Sequence, residues 1–184
     1  MTTGGGMDPV MEQVRAAAAR RGYLRVEREA VAARRMYGFV LAASDELMLM
    51  QEIYDFTPDG YAIVRLRDVT AIRDGESERF DERVLEGEGV RVAPPQSAID
   101  VASWRTVFAS LAGGEWPLVL VESESDGDVW VGRVLGAGDT AAWFHYVSPV
   151  GVWDAEPEEI DYDDVTLVRF GDRYTTVLAR YVDA

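Results

Sequence analysis

Two blocks of residues each occur twice in this 184-residue chain, in the same order, and this repeat constrains the fold more than any other feature. The first block consists of Leu24, Gly38, Val40, Leu41, Ala43 and Asp45, which recur as Leu118, Gly132, Val134, Leu135, Ala137 and Asp139. The second is Asp68-Val69-Thr70-x-x-Arg73-x-Gly75, which recurs as Asp164-Val165-Thr166-x-x-Arg169-x-Gly171. Repeats at a fixed spacing are typical of duplicated units, so the sequence predicts two copies of one small fold.

The repeat divides the chain into four predicted segments. Residues 1–7 have neither the basic nor the apolar region of a secretory signal, and they are expected to form a disordered tail. Residues 8–86 form the first predicted repeat and residues 97–184 the second. Residues 87–96 hold glycine and proline, which favour a linker between the two.

Composition excludes several classes of site. The chain has no cysteine, so disulfides, zinc–thiolate centres and cysteine nucleophiles are excluded. No apolar run approaches the ~18–20 residues that a bilayer-spanning helix requires. The absence of cysteine, together with the missing secretory signal, favours a cytoplasmic location.

The charge is strongly negative and unevenly divided. All 18 basic residues are arginine, and with 33 acidic residues they give a net charge of −15. Residues 1–92 hold 13 arginines and 17 acids, whereas residues 93–184 hold 5 arginines and 16 acids. Because a nucleic-acid duplex carries one charge per ~1.7 Å, it is a disfavoured partner, and a cationic partner is favoured.

Helix signals precede each repeat. Asp8 is predicted to cap a first helix that starts at Pro9 and stops at Gly22. Ser97 is predicted to begin the cap of a second helix, whose apolar residues through Leu111 recur at helical spacing.

About five short strands are predicted in each repeat, as in a small closed or nearly closed antiparallel barrel. Gly38 and Gly132 lie mid-strand at matching places, where glycine usually lets a strand bend sharply. Residues 58–60 are predicted as a turn, residues 174–181 as a strand and residues 74–88 as an exposed, charged excursion.

Short motifs accompany this pattern. In the first copy they are Gly38-x-Val40, Asp45-x-Leu47 and Val64-Arg65-x-Arg67-Asp68-Val69-Thr70-x-Ile72; in the second they are Gly132-x-Val134, Asp139 and Asp164-Val165-Thr166-x-Val168. They resemble the Sm-like barrel, a relative of the SH3-like barrels. The resemblance implies a mainly β fold of two tandem Sm/SH3-like five-stranded barrels, each preceded by an α-helix and related by internal duplication. With its Trp153-Asp154 and Phe170-Gly171-Asp172-Arg173-Tyr174 segments, the chain also resembles a bacterial family to which no activity is attached.

The RNA-binding residues of Sm-like proteins do not transfer. Those proteins commonly use an Asn in the first motif, where this chain reads Glu46-Leu47-Met48-Leu49. They also use an Arg-Gly pair, where this chain reads Arg67-Asp68 in one copy and Asp163-Asp164 in the other. A shared fold does not by itself carry function.

An acidic run provides the predicted partner-binding residues. They are Trp153, Asp154, Glu156, Glu158, Glu159 and Asp161. The alternative interpretation is a solvated acidic loop. The run lacks the spacing of a calcium-binding loop, so neither a metal site nor a cofactor is expected.

The basic first half provides an alternative site. Arg28, Arg34 and Arg35 are candidates for binding an anion, or they pair with the acidic second half within the chain or between protomers. The single histidine, His145, lies in an aromatic strand and is expected to be structural, since one histidine cannot make a multi-histidine metal site.

The sequence contains no Gly-x-Ser-x-Gly, Ser-x-x-Lys or P-loop motif, so no catalytic residue is predicted and the chain is not expected to be an enzyme. The function predicted is a binding module that engages a protein partner, or a second copy of itself, through the acidic second domain. The alternatives are RNA or single-stranded nucleic-acid binding through the first-domain arginines, and small-ligand binding in the cleft between the repeats.

Overall fold

Ten strands and four helices follow one another in the computed structural model, which describes residues 9–124 and 129–182. The helices are α1 (Pro9–Arg20), α2 (Glu76–Gly87), α3 (Trp104–Leu111) and α4 (Arg173–Leu178). The strands are β1 (Tyr23–Arg28), β2 (Ala32–Ala43), β3 (Leu47–Tyr54), β4 (Thr57–Arg65), β5 (Ala71–Arg73), β6 (Val119–Ser123), β7 (Val129–Ala137), β8 (Ala141–Tyr146), β9 (Glu158–Asp161) and β10 (Val165–Phe170). The prediction of a mainly β fold is confirmed.

All ten strands pair antiparallel in one open sheet, in the order β5-β1-β2-β3-β4-β10-β6-β7-β8-β9. The order of the first five strands is therefore repeated by the second five. The expectation of closed or nearly closed barrels is not confirmed, because the sheet does not close on itself. The outer edge of β4 pairs with β10 of the other half rather than with β5 of its own half. As a result, β5 and β9 form the two edges of the sheet.

The strand registers align the two halves residue by residue. Leu24 pairs with Gly38 in the first half, and Val119 pairs with Gly132 in the second. Leu24 therefore corresponds to Val119, one residue beyond the Leu118 that the sequence repeat suggests.

Both mid-strand glycines lie where adjacent strands approach closely. A Cβ at Gly38 would lie 2.1 Å from the backbone oxygen of Gln51, and a Cβ at Gly132 would lie 2.1 Å from that of His145. A side chain at either position would collide with the backbone of the next strand, which explains why both copies have glycine there.

Two hydrophobic cores lie on opposite faces of the sheet where β4 meets β10. The first core contains Ala62, Val64 and Leu167, and the second contains Ile63 and Val168. Because these residues alternate along the two strands, each strand supplies side chains to both cores. Helix α1 packs on the first core and α3 on the second.

The α1 helix begins at Pro9 as predicted, whereas Asp8 and the predicted tail, residues 1–7, lie outside the described residues. Helix α3 begins later than predicted, after a cap formed by Ser103 rather than Ser97. The Ser103 hydroxyl accepts a hydrogen bond from the backbone N–H of Thr106.

Two segments have a different secondary structure from the one predicted. Residues 74–88 contain α2, which buries Leu85 against Tyr23 instead of forming an exposed excursion. Residues 174–181 contain the helix α4 instead of a strand. Its cap is Asp172, whose carboxylate accepts hydrogen bonds from the backbone N–H and hydroxyl of Thr175, 3.0 and 2.7 Å away.

The turn between β3 and β4 lies at Asp55 and Phe56, which have φ angles of 46° and 59°, and not at residues 58–60. Gly60 is needed for another reason. Its φ is 74°, and a Cβ there would lie 2.4 Å from the backbone nitrogen of Asp172.

Candidate functional site

A cluster of alternating charges closes one end of the first core. Its members are Arg28, Arg34, Glu52, Glu122 and Arg169, and we call it the charged cluster. The Arg28 Nη1 lies 3.0 Å from the Glu122 Oε2, and the Arg169 Nε lies 2.7 Å from the Glu52 Oε2. Longer contacts complete the chain of charges, with 3.4 Å from Arg34 to Glu52 and 3.7 Å from Arg169 to Glu122.

The charged cluster is deeply buried at its centre. The exposed fraction of the side chain is 5% for Glu52, 11% for Arg169 and 1% for Arg28. Burial raises the pKa of Glu52, and the neighbouring Arg169 and Arg34 oppose that rise. Buried charges of this kind are tolerated when they are paired, so the cluster has a structural role at this end of the core.

The three arginines predicted to bind an anion come together. Arg28, Arg34 and Arg35 line one cavity of about 290 Å³, together with Glu27 and Glu29. Arg34 and Arg35 are more than half exposed, and their contacts to Glu52 and Glu27 are long, at 3.4 and 3.7 Å. The two acidic residues in the lining offset part of the positive charge that an anion would need.

The cleft between the two halves holds the largest of the described cavities, at about 430 Å³. Arg34, Glu52 and Asp59 line it from the first half, and Leu120 and Tyr174 from the second. The small-ligand site predicted for the cleft between the repeats corresponds to this cavity. Much of its polar lining is already paired within the protein, since Arg34, Glu52 and Arg169 form ion pairs in the charged cluster.

A second ionic site joins the two halves at the C-terminal end of β4, where Arg65 is the last residue of the strand. Arg65 is 6% exposed, and its Nε donates to the Oδ2 of Asp68 at 2.7 Å. Its Nη2 donates to the Oε2 of Glu124 at 2.5 Å, and its Nη1 to the backbone oxygen of Asp163 at 2.7 Å. The hydrogen bond and charge of Arg65 lower the pKa of Glu124.

The predicted acidic residues lie mostly on an edge strand. Glu158, Glu159 and Asp161 belong to β9 and are exposed, while Ile160 between them is buried in the second core. None of the three carboxylates forms an ion pair within residues 9–124 and 129–182.

The hydrogen-bonding pattern shows which backbone groups of β9 point outward. The N–H of Tyr162 donates to the backbone oxygen of Thr140 at 3.0 Å, one position beyond the paired residues of β8 and β9. Because hydrogen-bonded pairs alternate along an antiparallel ladder, the N–H and C=O of Glu159 and Asp161 point away from β8. The backbone oxygen of Asp161 accepts a hydrogen bond from the N–H of Asp164, which leaves Glu159 as the central outward-facing residue.

The remaining members of the predicted set lie before β9. Trp153 is half-buried, with its ring centroid 4.9 Å from that of His145 and the Arg133 guanidinium 5.2 Å from its ring. The His145 Nε2 lies 2.8 Å from the backbone oxygen of Asp154, which is a structural contact. Glu156 is exposed.

A cavity of about 310 Å³ lies at one end of the second core. We call it the aromatic–acidic cavity, and its lining consists of Val129, Trp130, Tyr146, Asp154 and Glu158. The Trp130 and Tyr146 rings meet nearly edge to face, with centroids 6.3 Å apart and planes at 70°. Two acidic residues line the same space, and no basic residue of the described chain is in the lining.

Sequence reasoning found the two carboxylates of this cavity and missed its aromatic walls. The available signal was the repeat. Glu52 pairs with Gly38, and Tyr146 pairs with Gly132, so Tyr146 occupies the position of a charged residue in the first half.

Within residues 9–124 and 129–182, no helix is long and apolar enough to cross a membrane. The same residues hold no group of three or more histidine, aspartate or glutamate side chains placed to share a metal ion. Comparisons of the chain with protein-family models, curated proteins and solved structures give no match.

Proposed function

We propose that this protein is a non-enzymatic binding module that engages a basic segment of a partner protein along β9, its acidic edge strand. The observation that carries the proposal is the outward-facing backbone of Glu159, flanked by Glu158 and Asp161, whose carboxylates form no ion pair within the described residues. Edge strands present unsatisfied N–H and C=O groups that an extended peptide can pair with.

Side chains next to β9 match a basic segment. Glu159 pairs with Trp143 of β8, and in an antiparallel pair the two side chains lie on the same face. Trp143 is 48% exposed, so its indole can stack against a lysine or arginine that the neighbouring carboxylates attract.

Long-range charge favours the same partner. Residues 93–184 carry 16 acids against 5 arginines, which attracts a cationic segment before contact. Such attraction is screened over a distance of ~8 Å at physiological salt, so binding should weaken as salt is raised.

The test uses the full chain and an acetylated hexapeptide of alternating valine and lysine. We expect it to bind at low salt and to weaken at high salt. Glu159→Pro removes one outward N–H without removing a β8–β9 hydrogen bond and should reduce binding more than tenfold. The triple variant Glu158→Gln, Glu159→Gln, Asp161→Asn should do the same through charge.

A matched control removes three exposed acids elsewhere, by Glu12→Gln, Glu86→Gln and Glu88→Gln. Salt-insensitive binding, or an equal loss in this control, would contradict the proposal. Sedimentation of the protein alone gives a further outcome. A dimer that Glu159→Pro dissociates would mean that a second copy, and not a different protein, occupies β9.

A second candidate function has one specific observation in its favour. Arg34 and Arg35 line a cavity of about 310 Å³ with Tyr54 and Phe56, which are 59% and 44% exposed. Bases of single-stranded nucleic acid stack on such aromatic rings while arginines contact the phosphates. A fluorescent oligo(U) should then bind the full chain and be released by Arg34→Glu with Arg35→Glu. No binding at low salt would exclude this function.

The fold proposed for the two halves is a duplicated Sm-like unit whose barrel is opened by the β4–β10 pairing. The repeated strand order and the helix that precedes each set of strands support this assignment. It carries no RNA-binding residues with it, since the motif positions differ.

A further inference from the structure

We infer that the aromatic–acidic cavity binds an organic cation, an alkylammonium or guanidinium group, with Trp130 and Tyr146 as walls and Asp154 and Glu158 as counter-charges. In its macromolecular form the cation is a lysine or arginine of the basic segment at β9, and to that extent the inference rests on the proposed function. The chemistry of the cavity stands on separate observations.

Two aromatic rings form walls of the cavity. Their planes lie at 70° with centroids 6.3 Å apart, so the two rings present differently oriented surfaces to the cavity. The face of an aromatic ring attracts an ammonium or guanidinium within ~6 Å of its centroid, and tryptophan does so most strongly. Val129 adds an apolar surface suited to the alkyl chain next to the charge.

The charges of the lining have one sign. Asp154 and Glu158 form no ion pair within the described residues, and no arginine lines the cavity. The corresponding end of the first core also contains a carboxylate, Glu52, but there Arg34 and Arg169 neutralise it. No described residue of the second half neutralises Asp154 or Glu158 in the way that Arg34 and Arg169 neutralise Glu52.

A divalent metal fits this lining less well than an organic cation. Calcium and magnesium favour six or more oxygen ligands, and aromatic rings provide none. The two carboxylates alone do not make such a set, and the described residues hold no group of three acidic or histidine side chains around one point.

The cavity is continuous with the proposed peptide-binding strand through Glu158, which belongs both to β9 and to the lining. A segment paired along β9 therefore passes the mouth of the cavity. The cavity has a volume of about 310 Å³, which accommodates the end of one long basic side chain. This volume lies at the small end of the usual range for ligand pockets, ~300–1,000 Å³.

The test uses pentylammonium chloride as the probe and 1-pentanol as its uncharged match. Binding is followed by the indole N–H resonance of Trp130, assigned by comparison with Trp130→Phe. We expect pentylammonium to shift this resonance saturably and 1-pentanol to do so at least tenfold more weakly. Asp154→Asn with Glu158→Gln should weaken pentylammonium binding at least tenfold, and Tyr146→Leu, which leaves the Trp130 reporter in place, should weaken it similarly.

The control variant is Phe80→Leu, which removes an exposed aromatic ring on α2, outside the cavity, and should leave pentylammonium binding unchanged. Because Tyr146 also packs against the second core, Tyr146→Leu can perturb folding. The Asp154→Asn, Glu158→Gln variant keeps the test decisive, since neither carboxylate forms an ion pair within residues 9–124 and 129–182.

The outcomes separate this inference from the proposed function. If pentylammonium binds no better than 1-pentanol, or binds equally well to the double variant, the inference is wrong even if the hexapeptide binds β9. If pentylammonium binds as expected and the hexapeptide does not, the inference holds for free amines and the proposed function is wrong. If replacing one lysine of the hexapeptide by norleucine removes the Trp130 shift, the cation comes from the partner.

Discussion

The two cores of this protein end in contrasting ways at corresponding positions. At the end of the first core, Glu52 is held by Arg169 and Arg34 in the buried charged cluster. At the end of the second core, Tyr146 occupies the equivalent position and lines a cavity that contains two carboxylates and no basic residue of the described chain. The first end is closed by internal ion pairs, and the proposed function assigns the second end to binding a partner.

Burial explains why only one of the two ends needs internal partners. Glu52 is 5% exposed, and an unpaired carboxylate at that depth would be strongly destabilising. Glu158 is exposed to water and needs no internal cation. The second end can therefore keep its carboxylates free for an external partner at little cost in stability.

The largest expected effect comes from breaking the charged cluster. Arg169→Met should lower the free energy of unfolding by about 3–5 kcal/mol, because it leaves Glu52 buried without its closest partner. Urea denaturation measures this. The matched control is Arg105→Met, which breaks an exposed pair with Asp139 and should cost less than about 1 kcal/mol. Equal losses in the two variants would contradict a structural role for the cluster.

The two mid-strand glycines should respond alike, since the close approach is shared by both halves. Gly38→Ala and Gly132→Ala should each destabilise the protein by about 1–3 kcal/mol, because the new methyl group collides with a backbone oxygen. Gly136→Ala is the control, since nothing lies within 4 Å of the added atom. A neutral Gly132→Ala in thermal unfolding would show that the register of the second half is not as described.

Stability should depend on pH in opposite directions through two carboxyls. The pKa of Glu52 is raised by burial, so its contribution to stability falls as pH rises from its unfolded value through the raised one. The pKa of Glu124 is lowered by Arg65, so its contribution is present above the unfolded value and is lost as pH falls through the lowered one.

Urea midpoints measured from acid to neutral pH for Glu52→Gln and Glu124→Gln test these signs. As pH rises, the unmodified chain should lose stability relative to Glu52→Gln and gain stability relative to Glu124→Gln. The same sign for both would mean that one of the two environments is wrongly assigned.

The smallest expected effect belongs to the end of the second core. Asp154→Asn with Glu158→Gln should change the free energy of unfolding by less than about 0.5 kcal/mol, since surface substitutions away from specific contacts are nearly neutral. A loss above about 2 kcal/mol in chemical denaturation would show that these carboxylates stabilise the fold, as those of the charged cluster do.

Sequence patterns predicted the elements whose signals are local. Apolar runs and alternating apolar residues predicted about five strands in each repeat, and Pro9 marked the start of α1. Helix α4 was missed because its Tyr-Thr-Thr-Val segment favours strands, and the Asp172 cap overrides that preference. The open sheet was missed because the β4–β10 pairing joins residues about 100 positions apart, which no local pattern reports.

The candidate site was predictable only in its charges. The acidic run identified Glu158, Glu159 and Asp161, but an alternating pattern cannot show that β9 is the last strand of the sheet. Trp130 and Tyr146 follow the pattern of core residues, and both do pack against the second core. Their second role arises because they lie at the end of that core, which depends on where the neighbouring strands stop.

The most direct test of the contrast between the two ends is chemical-shift mapping of the full chain with the valine–lysine hexapeptide at low salt. Perturbed amide and indole resonances should cluster at Trp130, Tyr146 and residues 154–161, while those of the charged cluster should stay unchanged. Perturbations centred on Arg34, Glu52 and the cleft between the halves, with none along β9, would contradict this contrast.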